Sequence, residues 1–175
     1  MDTVLMDLVV YTDYGQFDLV WAEGGGFDGN FDRNFTGQVN GLVGAAAPDG
    51  VYLNLARRSG GSSVRIVLVD VPPGIGGPLW EDIVEVSTSI PAGQALHWWG
   101  WAGMSGGVLA GLEPGSYRLR ASARGRDTGR DDDYSDRVLD FYLLEMWPAA
   151  WQPDAILRVG SDDAKYWHRE VGGRR

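Results

Sequence analysis

The chain of 175 residues contains no cysteine, which excludes a disulfide framework, a thiolate nucleophile and any Cys-ligated zinc site. Histidine is almost as scarce: His97 and His168 are the whole supply. Lysine occurs once, at Lys165, against fourteen arginines, a bias that reads as genome composition and carries no functional inference. The opening "MDTVLMDLVVYTDYGQF" has Asp2 and Asp7 where a signal peptide would carry basic residues. No apolar run approaches the length of a bilayer span. These absences lead to the expectation of a cytoplasmic protein with no membrane partner. A positive footprint for phosphate is also missing, because the formal net charge is −9. Nucleic acid is therefore not an expected partner, whereas an acidic surface steers a basic protein toward it.

What is present is a core. Apolar residues make up 44 % of the chain and aromatics 11 %, enough for one folded domain over 1–175 without staples. Short β-rich runs recur at 3–11, 15–21, 51–57, 64–71, 80–90, 95–101, 116–124 and 138–147, separated by Gly- and Pro-containing turns. In "SYRLRASAR" the residues Tyr117, Leu119, Ala121 and Ala123 share one face, and Arg118, Arg120, Ser122 and Arg124 the other. The connection "RSGGSS" reads as a hairpin turn between 51–57 and 64–71. The pattern predicts a mainly β protein, a single-domain antiparallel β-sandwich with a C-terminal extension at about 148–175. Phe27, Phe31, Phe35 and Val39 recur every four positions, which places one short helix near 27–38 over an opening of the sandwich.

Few residues form a constellation for chemistry. Asp28, Asn30, Asp32, Asn34 and Thr36 alternate like calcium ligands, yet Arg33 stands where the turn glycine belongs and Val39 where the bidentate Glu belongs. "GIGGP" at 74–78 does not open a helix, and "SGG" at 105–107 lacks the setting of a nucleophile elbow and reads as a turn. His168, in "AKYWHRE", reads as a packed residue rather than a base. No catalytic residues, metal or cofactor are expected. Two surfaces remain. The stretch "RGRDTGRDDDYSDR" (124–137) places five aspartates among four arginines between two strands. It reads as a hairpin tip: either a solvated connection, or a protein-binding finger in which Asp131, Asp132 and Asp133 mimic phosphates and Tyr134 is an aromatic anchor. In "LHWWGWAG", Trp99 and Trp101 face one side of a strand and Trp98 the other. Their alternatives are core packing or stacking on a ligand such as a sugar ring.

The order of motifs resembles the competence protein J (ComJ)-like family and related actinobacterial proteins. The resemblance runs over roughly 8–147: "YGQF", the helical segment, "GAAAPDGVYLNL", the pair "VRIVLVDV … WEDIVEVSTSI", "LEPGSYRLR" and a charged loop before "DFYLLEMWP". The ending "WPA … DAILRVGSDDAKYWH" is shared with the actinobacterial group. The resemblance implies a non-enzymatic β-sandwich, with a namesake that inhibits the DNA-entry nuclease of competent cells. Two functions follow as expectations: an immunity or nuclease-inhibitor type protein that masks a basic partner, a nuclease or toxin, or a small-ligand, carbohydrate-type module using Trp98, Trp99 or Trp101.

Overall fold

The computed structural model describes residues 2–22 and 26–173. In chain order the elements are β1 (Thr3–Asp13), β2 (Gln16–Val20), α1 (Phe31–Phe35), β3 (Val43–Gly44), β4 (Gly50–Asn54), β5 (Ser59–Leu68) and β6 (Asp82–Ile90). They continue with β7 (Leu96–Gly100), a 3-10 turn (Trp101–Gly103), β8 (Gly106–Leu109), β9 (Gly115–Arg124) and α2 (Arg126–Asp131). The last are β10 (Phe141–Pro148), β11 (Ala155–Arg158) and α3 (Asp162–Glu170). One sheet has six strands in the order β1-β5-β10-β9-β6-β11, the other five in the order β3-β4-β2-β7-β8. The described ladders are antiparallel except β5–β10, which run parallel. A parallel pair needs a long crossover, and residues 69–140 supply it.

Strand alternation sends one side chain in two toward the other sheet. Across the six-stranded sheet, Ile66, Leu144, Ala121 and Val84 lie side by side, followed by Leu68, Met146, Leu119 and Val86. Phe17 and Leu19 of β2 and Val51 and Leu53 of β4 meet them from the facing sheet, all buried. The mainly β sandwich expected from the sequence is therefore the fold, and its core lies between the two sheets.

Two local expectations are corrected. The hairpin through 58–63 is absent, because β4 and β5 belong to different sheets and residues 59–63 begin β5. Gly61 is there because β1 crowds it: a Cβ on it would meet the Val9 side chain at 2.8 Å and the Tyr11 ring at 3.2 Å. "SGG" at 105–107 is not only a turn, since Gly106 and Gly107 open β8. On the arginine face of β9, the polar side of the strand, the central residues are covered. Arg118 and Arg120 are buried on Glu85, at 3.0 and 2.7 Å, and clamp the loops at 152–153 and 73–74 through their carbonyls.

The helix expected near 27–38 is α1, capped by the Asn30 side chain and kept short by left-handed Gly29 and Gly37. Residues after 148 dock on the sandwich. β11 extends the six-stranded sheet beside β6, while α3 lays Trp167 against the Phe31 ring at 5.7 Å. Gly41 permits this approach, because a Cβ there would lie 2.0 Å from the Trp167 carbonyl oxygen. No described helix is long and apolar enough to cross a membrane.

Candidate functional site

Residues 125–140 join β9 to β10, which pair antiparallel. The connection is not simply a solvated tip, for its first half is α2 and both of its ends are anchored by buried arginines. At the near end, Arg126 donates to Asp163 of α3 through Nε (2.9 Å) and Nη2 (2.6 Å), and to the Asn54 carbonyl. Its neighbour Asp127 accepts the backbone N–H groups of Asp162 and Asp163, filling the role of an anion at the start of α3. Slight burial pushes the Asp127 carboxyl up, but these two N–H bonds together with the charges of Arg130 and Lys165 hold the group below its ordinary range. Only glycine fits at 125, where φ is +75° and a Cβ would lie 2.2 Å from the Leu139 carbonyl oxygen. At the far end, Arg57 donates to the carbonyls of Ser135, Arg137, Ser59 and Gly61. Between these anchors Asp131 and Asp132 are exposed and Tyr134 is 98 % exposed. Asp131 pairs with Arg130 at 2.8 Å, and Asp133 accepts the backbone N–H of Arg58 at 3.1 Å.

Arg58 also borders a second feature, a cleft of about 1330 Å³ on the outer face of the five-stranded sheet. Register explains its floor. Asp18 lies opposite Tyr52 on one side and Trp99 on the other, so these three side chains form a row pointing away from the core. Gln16, Asn54 and His97 stand on the same outer face. Phe27, stacked on Tyr52 at 3.9 Å, and Trp167 form one wall, and Trp101 and Tyr14, 5.6 Å apart, form another. The Arg58 guanidinium lies 5.6 Å from the Tyr14 ring centre at the rim. The Asp18 side chain accepts from the Gln16 amide and from the Phe27 N–H. Burial pushes its carboxyl up to about 6, with nearby Asp49 adding to the effect and the two hydrogen bonds opposing it. Burial likewise raises the Tyr52 phenol. The two described non-glycine residues with positive φ, Tyr14 (57°) and Ala102 (50°), both line this cleft.

The structure thus separates the tryptophans of β7 and its following turn. Trp98 turns inward and stacks on Phe17 at 5.9 Å, while Trp99 and Trp101 line the cleft. His97 stacks on Trp99 at 6.2 Å. His168 is packed: its Nδ1 accepts the Gly41 N–H at 3.0 Å, and burial pushes its imidazole down. Among the described residues, no group of three His, Cys, Asp or Glu side chains is disposed to hold a metal ion. Sequence reasoning missed Asp18, Gln16, Tyr14 and Arg58. A signal existed in "GQFDLV", where a carboxylate sits amid strand residues whose partners Phe17 and Leu19 are apolar.

No family model and no curated protein matches the sequence. Among solved structures, ComJ from Bacillus subtilis, inhibitor of the DNA degrading activity of NucA, superposes with a TM-score of 0.58. The match covers 85 % of this chain and 99 % of that one at 15 % identity. The fold is that of ComJ. A second solved structure, crocagin biosynthetic gene J, matches with a TM-score of 0.56 over 86 % of this chain and 99 % of its own, again at 15 % identity. Both likenesses cover nearly the whole of the other chain, with further residues of this chain outside the match.

Proposed function

We propose that this chain is a non-enzymatic binding protein of the inhibitor type, which masks a basic nuclease or toxin surface. The observation that carries this reading is the ComJ fold, matched over 99 % of a nuclease inhibitor. The finger at 131–134 supports it physically. A partner-binding loop gains affinity when it is held in place before binding, and buried Arg126 and Arg57 hold this one at both ends. The net charge of −9 favours fast encounter with a cationic surface, and exposed Tyr134 offers a rigid anchor with little entropy to lose. The test is inhibition. Titrated into DNA-cleavage assays of its host's nucleases, the chain is expected to silence one of them at about one equivalent. If every nuclease stays active and none binds the chain, the proposal is lost.

A second reading, a small-ligand module, is favoured by one specific observation: Trp99 and Trp101 line a cleft that also holds a buried carboxylate. Its carbohydrate form is tested by tryptophan fluorescence against a glycan panel, where silence across the panel removes it.

A further inference from the structure

Asp18 is 2 % exposed, yet among the described residues no arginine, lysine or histidine is ion-paired with it. Its hydrogen-bond donors are neutral, the Gln16 amide and the Phe27 N–H. A buried carboxylate in that state is expensive, as the rise of its carboxyl to about 6 records. Asp163, by contrast, is paired with Arg126. Among the described residues Asp82 and Asp140 also lack a cation, but Asp82 accepts from the Gly160 and Ser161 N–H groups and the Ser161 hydroxyl, Asp140 accepts from the Ser62 and Tyr142 hydroxyls, and neither lines the cleft. Around Asp18 the cleft is aromatic, and ring faces carry the negative part of the π quadrupole. Asp28 lines the same space, and the lining arginine, Arg58, sits over Tyr14 at the rim. Aromatic faces around an unpaired carboxylate are the recognition chemistry of an organic cation. The cleft volume of about 1330 Å³ leaves room for such a cation to carry an apolar body.

We propose that the cleft binds a small organic cation, with Asp18 as its counter-ion and Trp99 and Trp101 as the faces on which its body packs. This rests on the small-ligand reading and names the ligand class for it. It is independent of the finger.

The experiment is a calorimetric titration of the full chain with phenethylammonium, its neutral counterpart 2-phenylethanol and the anion phenylacetate, beside the glycan panel. The cation is expected to bind at least about tenfold tighter than the alcohol, and the anion weakest. In Asp18→Asn the cation is expected to fall to the affinity of the alcohol, while the alcohol itself is unchanged. Trp101→Ala is expected to weaken both. Equal binding of cation and alcohol to the unaltered chain would overturn the cation assignment and leave a ligand cleft standing. A glycan binding where the cation does not would have the same consequence. If no probe of any kind binds, the small-ligand reading fails together with the assignment. The comparison of the three charges is made on the unaltered chain, so it holds even where a variant fails to fold.

Discussion

Asp163 beneath the finger and Asp18 beneath the cleft are both almost wholly buried, at 3 % and 2 % exposure. Asp163 meets the Arg126 guanidinium with 2.9 and 2.6 Å hydrogen bonds, and that pair ties α2 to α3. Asp18 meets only an amide and a peptide N–H. Burial pushes both carboxyls up, with Arg126 opposing it only at Asp163, yet the two carboxylates do different things. The paired one is part of the frame, and its removal leaves a stranded cation. The unpaired one weakens the frame and keeps a charge ready in an aromatic cleft. The finger follows the first logic, since its charges stand in water on a base fixed by buried arginines. Under the inhibitor proposal its aspartates act on a partner's approach, whereas under the cation proposal Asp18 acts only on what enters the cleft.

The sharpest way to break this comparison is to strand Asp163. Arg126→Met is expected to cost about 3–5 kcal/mol in urea unfolding, because it leaves an uncompensated buried carboxylate. Adding Asp163→Leu is expected to restore most of that loss, since an apolar pair of similar volume is often neutral or better. If the single variant loses less than about 1 kcal/mol, the pair is not the anchor described here.

Asp18 is expected to move the other way. Its carboxyl has an ordinary value of 3.8 and is raised to about 6 in the folded protein, so the folded state holds the proton more tightly than the unfolded chain. Below 3.8 the group is neutral in both states and carries no penalty. As pH rises from there to about 6, stability falls, and above that the full penalty persists. Asp18→Asn removes this slope. The variant is expected to be about 1–3 kcal/mol more stable than the parent at pH 7, and no more stable at pH 3.5. Unfolding curves of the two chains at both pH values check it, and a destabilised variant at pH 7 would make Asp18 structural. A gain in stability joined to loss of cation binding is the trade expected of a functional group.

For the finger, the change is in rate rather than stability. If the inhibitor proposal holds, replacing Asp131, Asp132 and Asp133 together by Asn is expected to slow association with the inhibited nuclease about tenfold at low salt. The gap should close as salt shortens the Debye length below about 10 Å. Stability should stay within about 0.5 kcal/mol, although the bond from the Arg58 N–H to Asp133 passes to a neutral oxygen. Stopped-flow mixing across a salt series reads the effect, and an unchanged rate removes the finger from the inhibitor proposal.

The contrast between the two regions also decides what the sequence made legible. Local alternation located the central strands, because Tyr117, Leu119 and Ala121 alternate with Arg118 and Arg120 whatever lies above them. What covers a face is not local. Arg118 and Arg120 share a face whose cover no local pattern reveals, and they are buried because β6 supplies Glu85 and loops more than thirty residues away in the chain supply the capping carbonyls. Asp131–Asp133 stood out as a charge run, while Asp18, a lone acid in a short strand, did not. Its position became informative only through register, which sets it between Tyr52 and Trp99. α2 and the role of Arg126 were hidden for the same reason, since Asp163 lies 37 positions away.

The smallest expected effect tests whether the cleft rim is strained for a purpose. Ala102 holds φ +50° and ψ +22° immediately after Trp101 and carries no group beyond its Cβ. A left-handed conformation costs a non-glycine residue about 1–2 kcal/mol, and glycine returns about 0.5–1 kcal/mol of that as backbone entropy. Ala102→Gly is therefore expected to stabilise the chain by about 0.5 kcal/mol, a rise in Tm of about 1–2 °C at this chain length. A lower Tm would show that the rim is not strained at this residue. Where the gain appears, phenethylammonium binding divides its meaning. Unchanged affinity makes the strain incidental to the turn. Weaker affinity shows that the stiff alanine holds Trp101 in place for the ligand, because glycine frees the hinge on which that ring is mounted.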